Sequence, residues 1–401
     1  MTHTVLTPKK RIDSIDAIRG FAILGILVWH CMERFDLVGS PVVESPFWQA
    51  FDTGVLETLR FLFQGKAYAI FSLLFGLSFF MQMDSQAEKG NDFRLRFLWR
   101  MTILFVLGYI NGLFYMGEFF MVYAILGLFL IPLFRVGTKW LVAIAVLLFL
   151  QIPGIVSFVS LLVSNTPNEP TYLVSYMDSL FGKAADIFTN GSFADVIRFN
   201  TFEGQLAKLL WVFNNFRYLQ LIGLFIVGML IGRYHIHKDP EKMVRYSKKV
   251  LPWAAVWFAV FYGIVLLLPT FGVEGFALEV GKTLFNGYAS LGLMMIYICG
   301  LTLLYYRRKG AQKLLDRIAP VGRMSVTNYM MQSLFGITLF YGFGLGLAGS
   351  MSYAWTLVVA LGLCCVQIAY SNWWMKRFYY GPMEGLWRTI TWMTPIKMHR
   401  K

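Results

Sequence analysis

The sequence predicts an all-α, polytopic integral membrane helix bundle of about ten transmembrane helices, with both termini in the cytoplasm. Three observations carry that prediction: the composition, the spacing of the apolar runs, and the placement of basic residues between them. The 401 residues are 57% hydrophobic and 14% charged, with a mean hydropathy of +0.58, whereas ordinary soluble chains carry about 25% charged residues. A soluble globule of 46.0 kDa has too little interior for 37 Phe, 20 Tyr, 20 Met and 12 Trp, so lipid must solvate much of the surface.

Ten runs approach the roughly 20 apolar residues that cross a hydrocarbon core. They cover residues 15–33, 61–83, 97–115, 119–135, 140–163, 209–232, 250–269, 285–306, 325–347 and 351–371. The first is read as a retained helix, because His30, Cys31, Met32 and Glu33 make no small-residue cleavage site. Basic residues crowd alternate connections: Lys9 to Arg11, Lys89 to Arg100, Arg135 and Lys139, Arg233 to Lys249, Arg307 to Arg323, and Lys376 to Lys401. The other connections hold acids such as Glu44, Asp52, Glu57, Asp178 and Glu203. Cytoplasmic loops carry the Lys and Arg excess, so the formal charge of +14 reads as orientation and as affinity for anionic lipid, not as a nucleic-acid surface. The chain is expected in the inner (cytoplasmic) membrane as a multi-pass protein. Membrane lipid and a small-molecule, lipid or glycan substrate are its expected partners, and a homo-oligomer is compatible with the pattern.

Residues 1–371 form the expected bundle domain, and 372–401, with Trp373, Trp374, Trp387 and Trp392 among basic residues, form a cytoplasmic amphipathic tail. The outer segment 164–208 contains Tyr172, Val174, Met177, Leu180 and Phe181 at near-helical spacing. That pattern suits an interfacial helix, read either as a lid over an outer cavity or as a plain surface helix. Cys31, Cys299, Cys364 and Cys365 sit in apolar runs without metal-ligand spacing and read as small buried hydrophobes. No metal site is expected, and His235 and His237 read as solvated residues of a basic loop.

An ionisable group at membrane depth faces the bundle interior, pairs, or marks a path for substrate or ions. The first helix carries Asp13, Asp16 and Arg19 at its inner end, with Asp16 and Arg19 spaced to pair. His30 stands roughly 17 Å above Arg19 at the helical rise, followed by Glu33. Lys66, Asn111, Glu118, Arg217 and Gln220 share the outer depth of His30 under the predicted topology. If they share a face, a histidine lies beside carboxylates in one polar layer, the ingredients of general acid-base chemistry. The alternative is that each snorkels separately to the headgroups. Asn328 and Gln332 put amides on the inner half of the ninth run, as helix glue or as the lining of a vestibule. Gly336, Gly342, Gly344 and Gly346 allow close packing there or a helix break. No phosphate loop, Gly-x-Ser-x-Gly elbow or His-Glu-x-x-His motif occurs.

Five motifs carry a family resemblance. They are Asp16-Ala-Ile-Arg19-Gly, Gly65-Lys66-Ala-Tyr-Ala-Ile-Phe71, Phe216-Arg217-Tyr-Leu-Gln220, Gly322-Arg323-Met-Ser-Val-Thr-Asn328-Tyr-Met-Met-Gln332-Ser333, and Gly381-Pro382-Met-Glu384-Gly-Leu-Trp387-Arg388. With these the chain resembles the YeiB family of bacterial membrane proteins, a domain-of-unknown-function family. YeiB-like proteins are distantly similar to the transmembrane acyltransferase superfamily, whose members pass an acyl group from a cytoplasmic thioester to an outer acceptor. An Arg, ten residues and a His on the first helix is typical there, and Arg19 with His30 has that spacing. Many YeiB-like sequences carry Asn at the His30 position, His at Asn111 and Asp at Glu118, and this chain departs at all three.

The resemblance implies an acyltransferase-like enzyme with His30, Glu33 and Glu118 in catalysis. Arg19, Lys66, Asn111, Arg217, Gln220, Asn328 and Gln332 would bind donor or substrate. Acyl-CoA is the implied donor substrate, and no resident cofactor is required. The same residues suit a secondary transporter of a small anionic solute, with the arginines binding the anion and His30 relaying protons. A scaffold, with every charge acting as helix glue, is the third reading.

Overall fold

The computed structural model describes residues 12–36, 45–163 and 170–400. Lys9, Lys10, Arg11, Glu44 and Lys401 of the charge pattern lie outside them. The described residues form helices and no named strand; Phe378 and His399 make one isolated antiparallel bridge.

At the centre is α1 (Asp13–Met32), buried on nearly every side. A helix that is apolar all round belongs in a bundle interior. α2 (Pro46–Phe63) leads into α3 (Ala67–Ala87) through a turn in which Gly65 has φ +80°. α4 (Arg94–Phe114) is followed by the short α5 (Phe120–Gly127) and α6 (Leu130–Leu133). α7 (Thr138–Phe149) and α8 (Ile152–Val163) meet at Gln151. Then come α9 (Tyr172–Asn190), α10 (Phe193–Asn214) and α11 (Arg217–Arg233). The second half holds α12 (Pro240–Leu267), α13 (Gly275–Arg307), α14 (Lys309–Arg323), α15 (Ser325–Phe340), α16 (Tyr353–Arg377) and α17 (Pro382–Trp392).

The protein is a multi-pass membrane helix bundle. Among the described residues, seven segments are long and apolar enough to span, and α10 with α11, bent by 73° at their junction, makes an eighth when the two are taken as one. The sequence leads to an expectation of about ten, and by length and apolarity the described residues carry seven or eight. Run 119–135 folds as the short pair α5 and α6, and run 325–347 stops at Phe340, where the Gly342-to-Gly346 stretch leaves the helix. There the Gly342 N–H donates to Phe188 O (2.8 Å) and Tyr341 stacks on Phe188. A Cβ at Gly342 would lie 1.8 Å from Thr189 O, so those glycines serve a turn that seats α9.

The exposed belt of α7, α8, α12 and α16, including Trp140, Val156, Trp253, Val256, Trp355 and Val358, is what lipid covers. The interior relies on close helix approach. A Cβ on Gly76 of α3 would lie 2.0 Å from Phe225 O of α11, and one on Gly228 of α11 would lie 2.0 Å from Leu73 O of α3. Such backbone contact is how membrane helices gain packing energy without a hydrophobic driving force.

Two sequence readings change. The expected interfacial helix in 164–208 is α9, but Met177, Leu180, Ala184 and Phe188 turn inward, and α10 packs on it. His237 is buried rather than solvated, while His235 is exposed. Burial pushes the His237 pKa down, and the neighbouring Lys238 and His235 push it further.

Two predictions follow from this packing. Gly228→Ala places a methyl against Leu73 O and should cost about 1–3 kcal/mol, seen as a lower melting temperature in detergent. Gly263→Ala, with open space around it, should be neutral; equal melting of the two variants refutes the close-approach argument. His237 stays neutral in the fold, whereas the unfolded chain takes up a proton below about pH 6.5, so stability present above that pH is lost as it falls. His237→Gln should flatten the melting-temperature drop between about pH 7.5 and about pH 5, and an unchanged slope counts against the assignment.

Candidate functional site

Two cavities lie end to end in the bundle. The outer one, of about 410 Å³, starts from the end of α1. Arg34, Phe35 and Asp36 follow that helix with φ of 51°, 56° and 71°, three successive side chains in the left-handed region. Each such residue is strained by about 1–3 kcal/mol and persists only where surrounding contacts hold it. Here Phe35 is fully buried and its carbonyl accepts from Tyr341 Oη (3.0 Å). Arg34 donates to Met351 O (2.8 Å) and lies over the Tyr353 ring. The turn thereby brings Asp36 onto the cavity wall beside His30 and Glu33.

His30 Nδ1 is 2.8 Å from Tyr115 Oη. The imidazole also meets Phe35 and Tyr329 edge-on, at 5.6 and 6.1 Å between ring centres. Tyr115 Oη and Asp36 Oδ2 crowd one point, 2.1 and 2.7 Å from where a Cβ on Gly117 would sit, so glycine is required there. Across the cavity, Lys208 of α10 lies over Phe119 (4.2 Å) and Trp211 (5.0 Å). Lys208 is the shared electrostatic partner of Asp36, Glu33 and Glu118. Arg217, the first residue of α11 after the bend, donates to Gln220 Oε1 (2.9 Å) and joins the wall with Arg60.

The inner cavity, of about 230 Å³, is lined by Arg19, Arg100, Arg323 and Arg388. Asp16 binds two of these, accepting from Arg19 at 3.1 Å and from Arg323 Nε at 3.2 Å. Arg323 also pairs with Asp13. Glu384 of α17 lines the cavity, but its carboxylate accepts from Val326 N (2.7 Å), Thr327 N (3.1 Å) and Thr327 Oγ1 (2.6 Å), capping α15. α17 docks beneath α4, with Trp387 Nε1 donating to Arg100 O (3.0 Å) and Trp99 Nε1 to Ile390 O (3.1 Å). The tail is thus a wall of the inner cavity. Phe71, Phe120 and Tyr123 line both cavities and form the septum between them. Phe120 packs on Tyr329 at 4.6 Å, and Tyr329 on His30.

The expected single polar layer is divided by the fold. His30, Glu33 and Arg217 reach the outer cavity, and Arg19 the inner. Lys66 stands beside the outer wall with Nζ 5.8 Å from the Phe61 ring. The others lie off both cavities. Glu118, expected to act in catalysis, accepts from Phe120 N (2.5 Å) and Met121 N (3.2 Å) and so caps α5. Asn111 donates to Ser333 Oγ (3.0 Å), and Gln220 is taken by Arg217. Asn328 bonds Val321 O and Ser371, while Gln332 bonds Ile23 O and Gln367; these two amides are helix glue. The sequence does not single out Asp36, Arg60, Tyr115 and Lys208 on the outer wall, or Arg100 and Arg388 on the inner. The arginines read as topological charge, although Lys208 before Leu209-Leu210-Trp211-Val212-Phe213 was a cation entering an apolar run.

Residues 231–394 match a family model described as "Protein of unknown function (DUF418)". Over 95% of its length the chain is 26% identical to the uncharacterized protein YeiB of Escherichia coli K12, covering 96% of that protein. The chain is YeiB-like. It is also 26% identical to the uncharacterized protein YxaH of Bacillus subtilis strain 168, over 96% of this chain and 95% of that one. A third relative, an uncharacterized 39.9 kDa protein from the amylase 3′ region of Bacillus acidopullulyticus, is 25% identical over 95% of this chain and 94% of its own. No solved structure matches. These relatives are themselves uncharacterized and carry no named activity.

The shared carboxylate gives a stability prediction. Asp16, with an 8% exposed side chain, holds two guanidinium groups, whereas Asp13 is 52% exposed. Asp16→Ala should destabilise by about 3 kcal/mol or more, and Asp13→Ala by under about 1 kcal/mol. Thermal melts in detergent compare them, and equal losses would remove Asp16 from its central position.

Proposed function

We propose that the protein passes an acyl group from a thioester donor in the inner cavity to an acceptor hydroxyl in the outer cavity. The observation that carries this reading is the end-to-end arrangement of the two cavities with only Phe71, Phe120 and Tyr123 common to both. An acyl chain is narrow and uncharged, so it can pass between rings while donor and acceptor each keep to their own side. Acyl-CoA is the donor class that the arginine-lined chamber suits. The positive-inside pattern supports a cytoplasmic orientation for that chamber, and the bacterial relatives support a cytoplasmic-membrane location.

His30 acts as general base in the tautomer that carries its proton on Nδ1 and donates to Tyr115 Oη, which leaves Nε2 as the acceptor. The Tyr115 hydroxyl then turns its proton toward Asp36 Oδ2, which is buried without a hydrogen-bond partner and borders the same point beside Gly117. Nε2 takes the acceptor's hydroxyl proton as its oxygen attacks the thioester carbonyl carbon. The C–O bond forms, the C–S bond breaks, and the departing thiolate recovers the proton to leave as the thiol. Lys208 faces this group from across the cavity, where a cation offsets charge on the tetrahedral oxygen.

The second reading, a secondary transporter of a small anionic solute, is favoured by the 73° break between α10 and α11, with Arg217 at the break. Interrupted helices at membrane depth line substrate sites in transporters.

His30→Ala should reduce transfer of labelled acetyl from acetyl-CoA to membrane products by roughly 100-fold or more, with the folded protein retained. Undiminished transfer removes His30 as the base. Solute uptake by reconstituted vesicles, with no acetyl transfer in the wild type, would favour the transporter instead.

A further inference from the structure

We propose that the inner cavity binds a phosphate-bearing anion through Arg100 of α4 and Arg388 of α17. This deepens the group-transfer reading, resting on it for the cavity's purpose and not for the binding itself. The cavity's four guanidinium groups are not equally compensated. Arg19 and Arg323 face Asp16 and Asp13, and the Glu384 carboxylate is consumed by the α15 N-terminus and Thr327. Among the described residues, Arg100 and Arg388 have no carboxylate within ion-pair distance.

Each is held instead by an aromatic ring. Arg100 lies over Trp387 at 3.7 Å and Arg388 over Tyr380 at 5.0 Å. Both rings belong to the segment after α16, so docking of that segment builds the site. Stacking occupies the guanidinium face and leaves the in-plane N–H groups available. Arg388 Nε is buried and without a hydrogen-bond partner. Two neighbouring uncompensated cations on the wall of an interior cavity are costly unless an anion joins them. A fork of N–H donors matches phosphate oxygens bidentately, and two such forks fit a dianion, a phosphate monoester or a diphosphate, better than a single carboxylate. Ser78, Gln82 and Ser325 add neutral hydrogen-bonding groups to the same wall.

The ligand's phosphate can come from a soluble ester or from an inner-leaflet lipid headgroup, and the experiment separates the two. Full-length protein in phosphatidylcholine nanodiscs is titrated with pyrophosphate, with thermal protection as the readout. Saturable protection is expected, with affinity lowered about tenfold or more in Arg388→Gln and in Arg100→Gln. Arg317→Gln, an exposed arginine off the cavity, should bind as the wild type. Arg100→Lys keeps the charge but not the fork, so partial retention of affinity is expected even if Arg100→Gln fails to fold. In phosphatidic acid nanodiscs a headgroup source would lower pyrophosphate affinity by competition, and a soluble source would leave it unchanged. Either result upholds the phosphate chemistry. Absence of saturable protection in both nanodiscs, or equal affinity in wild type and Arg388→Gln, overturns it. Acetyl transfer measured on the same wild-type preparation keeps the two readings apart: intact binding without transfer sinks the transferase alone, and transfer without phosphate binding sinks this proposal alone.

Discussion

The Asp16 carboxylate, held between Arg19 and Arg323, is the contact on which the inner half of the molecule depends. It can form because α1 and α14 touch at the backbone: a Cβ on Gly322 would lie 1.9 Å from Asp16 O, and one on Gly20 2.4 Å from Ile318 O. That contact fixes the end of α14 and hence the start of α15, whose free N–H groups donate to the Glu384 carboxylate. Glu384 in turn anchors α17, which presents Trp387 and Arg388 to α4 and the cavity. A chain of satisfied polar groups, each at membrane depth or its margin, thus runs from the first helix to the last. In a low-dielectric surround each link is expensive to leave unmade.

The outer cavity is built on a different principle. Its key wall is the non-helical turn at Arg34 to Asp36, and the strain is offset by burying Phe35 and by the bonds of Tyr341 and Arg34. What the turn gains is placement, because a continued helix would carry Asp36 past the cavity instead of bringing it near Tyr115. Irregular backbone at membrane depth survives where it is packed in protein or borders a cavity, and here it does both.

The bundle was legible because lipid imposes a simple rule on composition and run length, and the basic loops repeat it. Helix ends were not. Whether 325–347 is one span depended on Gly342 meeting Thr189 O, a contact between segments far apart in sequence. For the site, depth was readable and facing was not. Arg19 and His30 lie on one helix and reach their two cavities, whereas Asn111 and Glu118 share the outer depth but turn to Ser333 and to the α5 backbone. Arg388 looked like tail charge because nothing local says that α17 docks under α4.

The three-ring septum has an electrical consequence. Where water fills the two cavities on either side of Phe71, Phe120 and Tyr123, whatever voltage the membrane carries falls mostly on that layer. Moving one elementary charge through it then works against nearly the full potential, about 2.3 kcal/mol per 100 mV. A neutral group passes without feeling the field. The same rings that separate the chambers therefore favour uncharged traffic and oppose the passage of free ions.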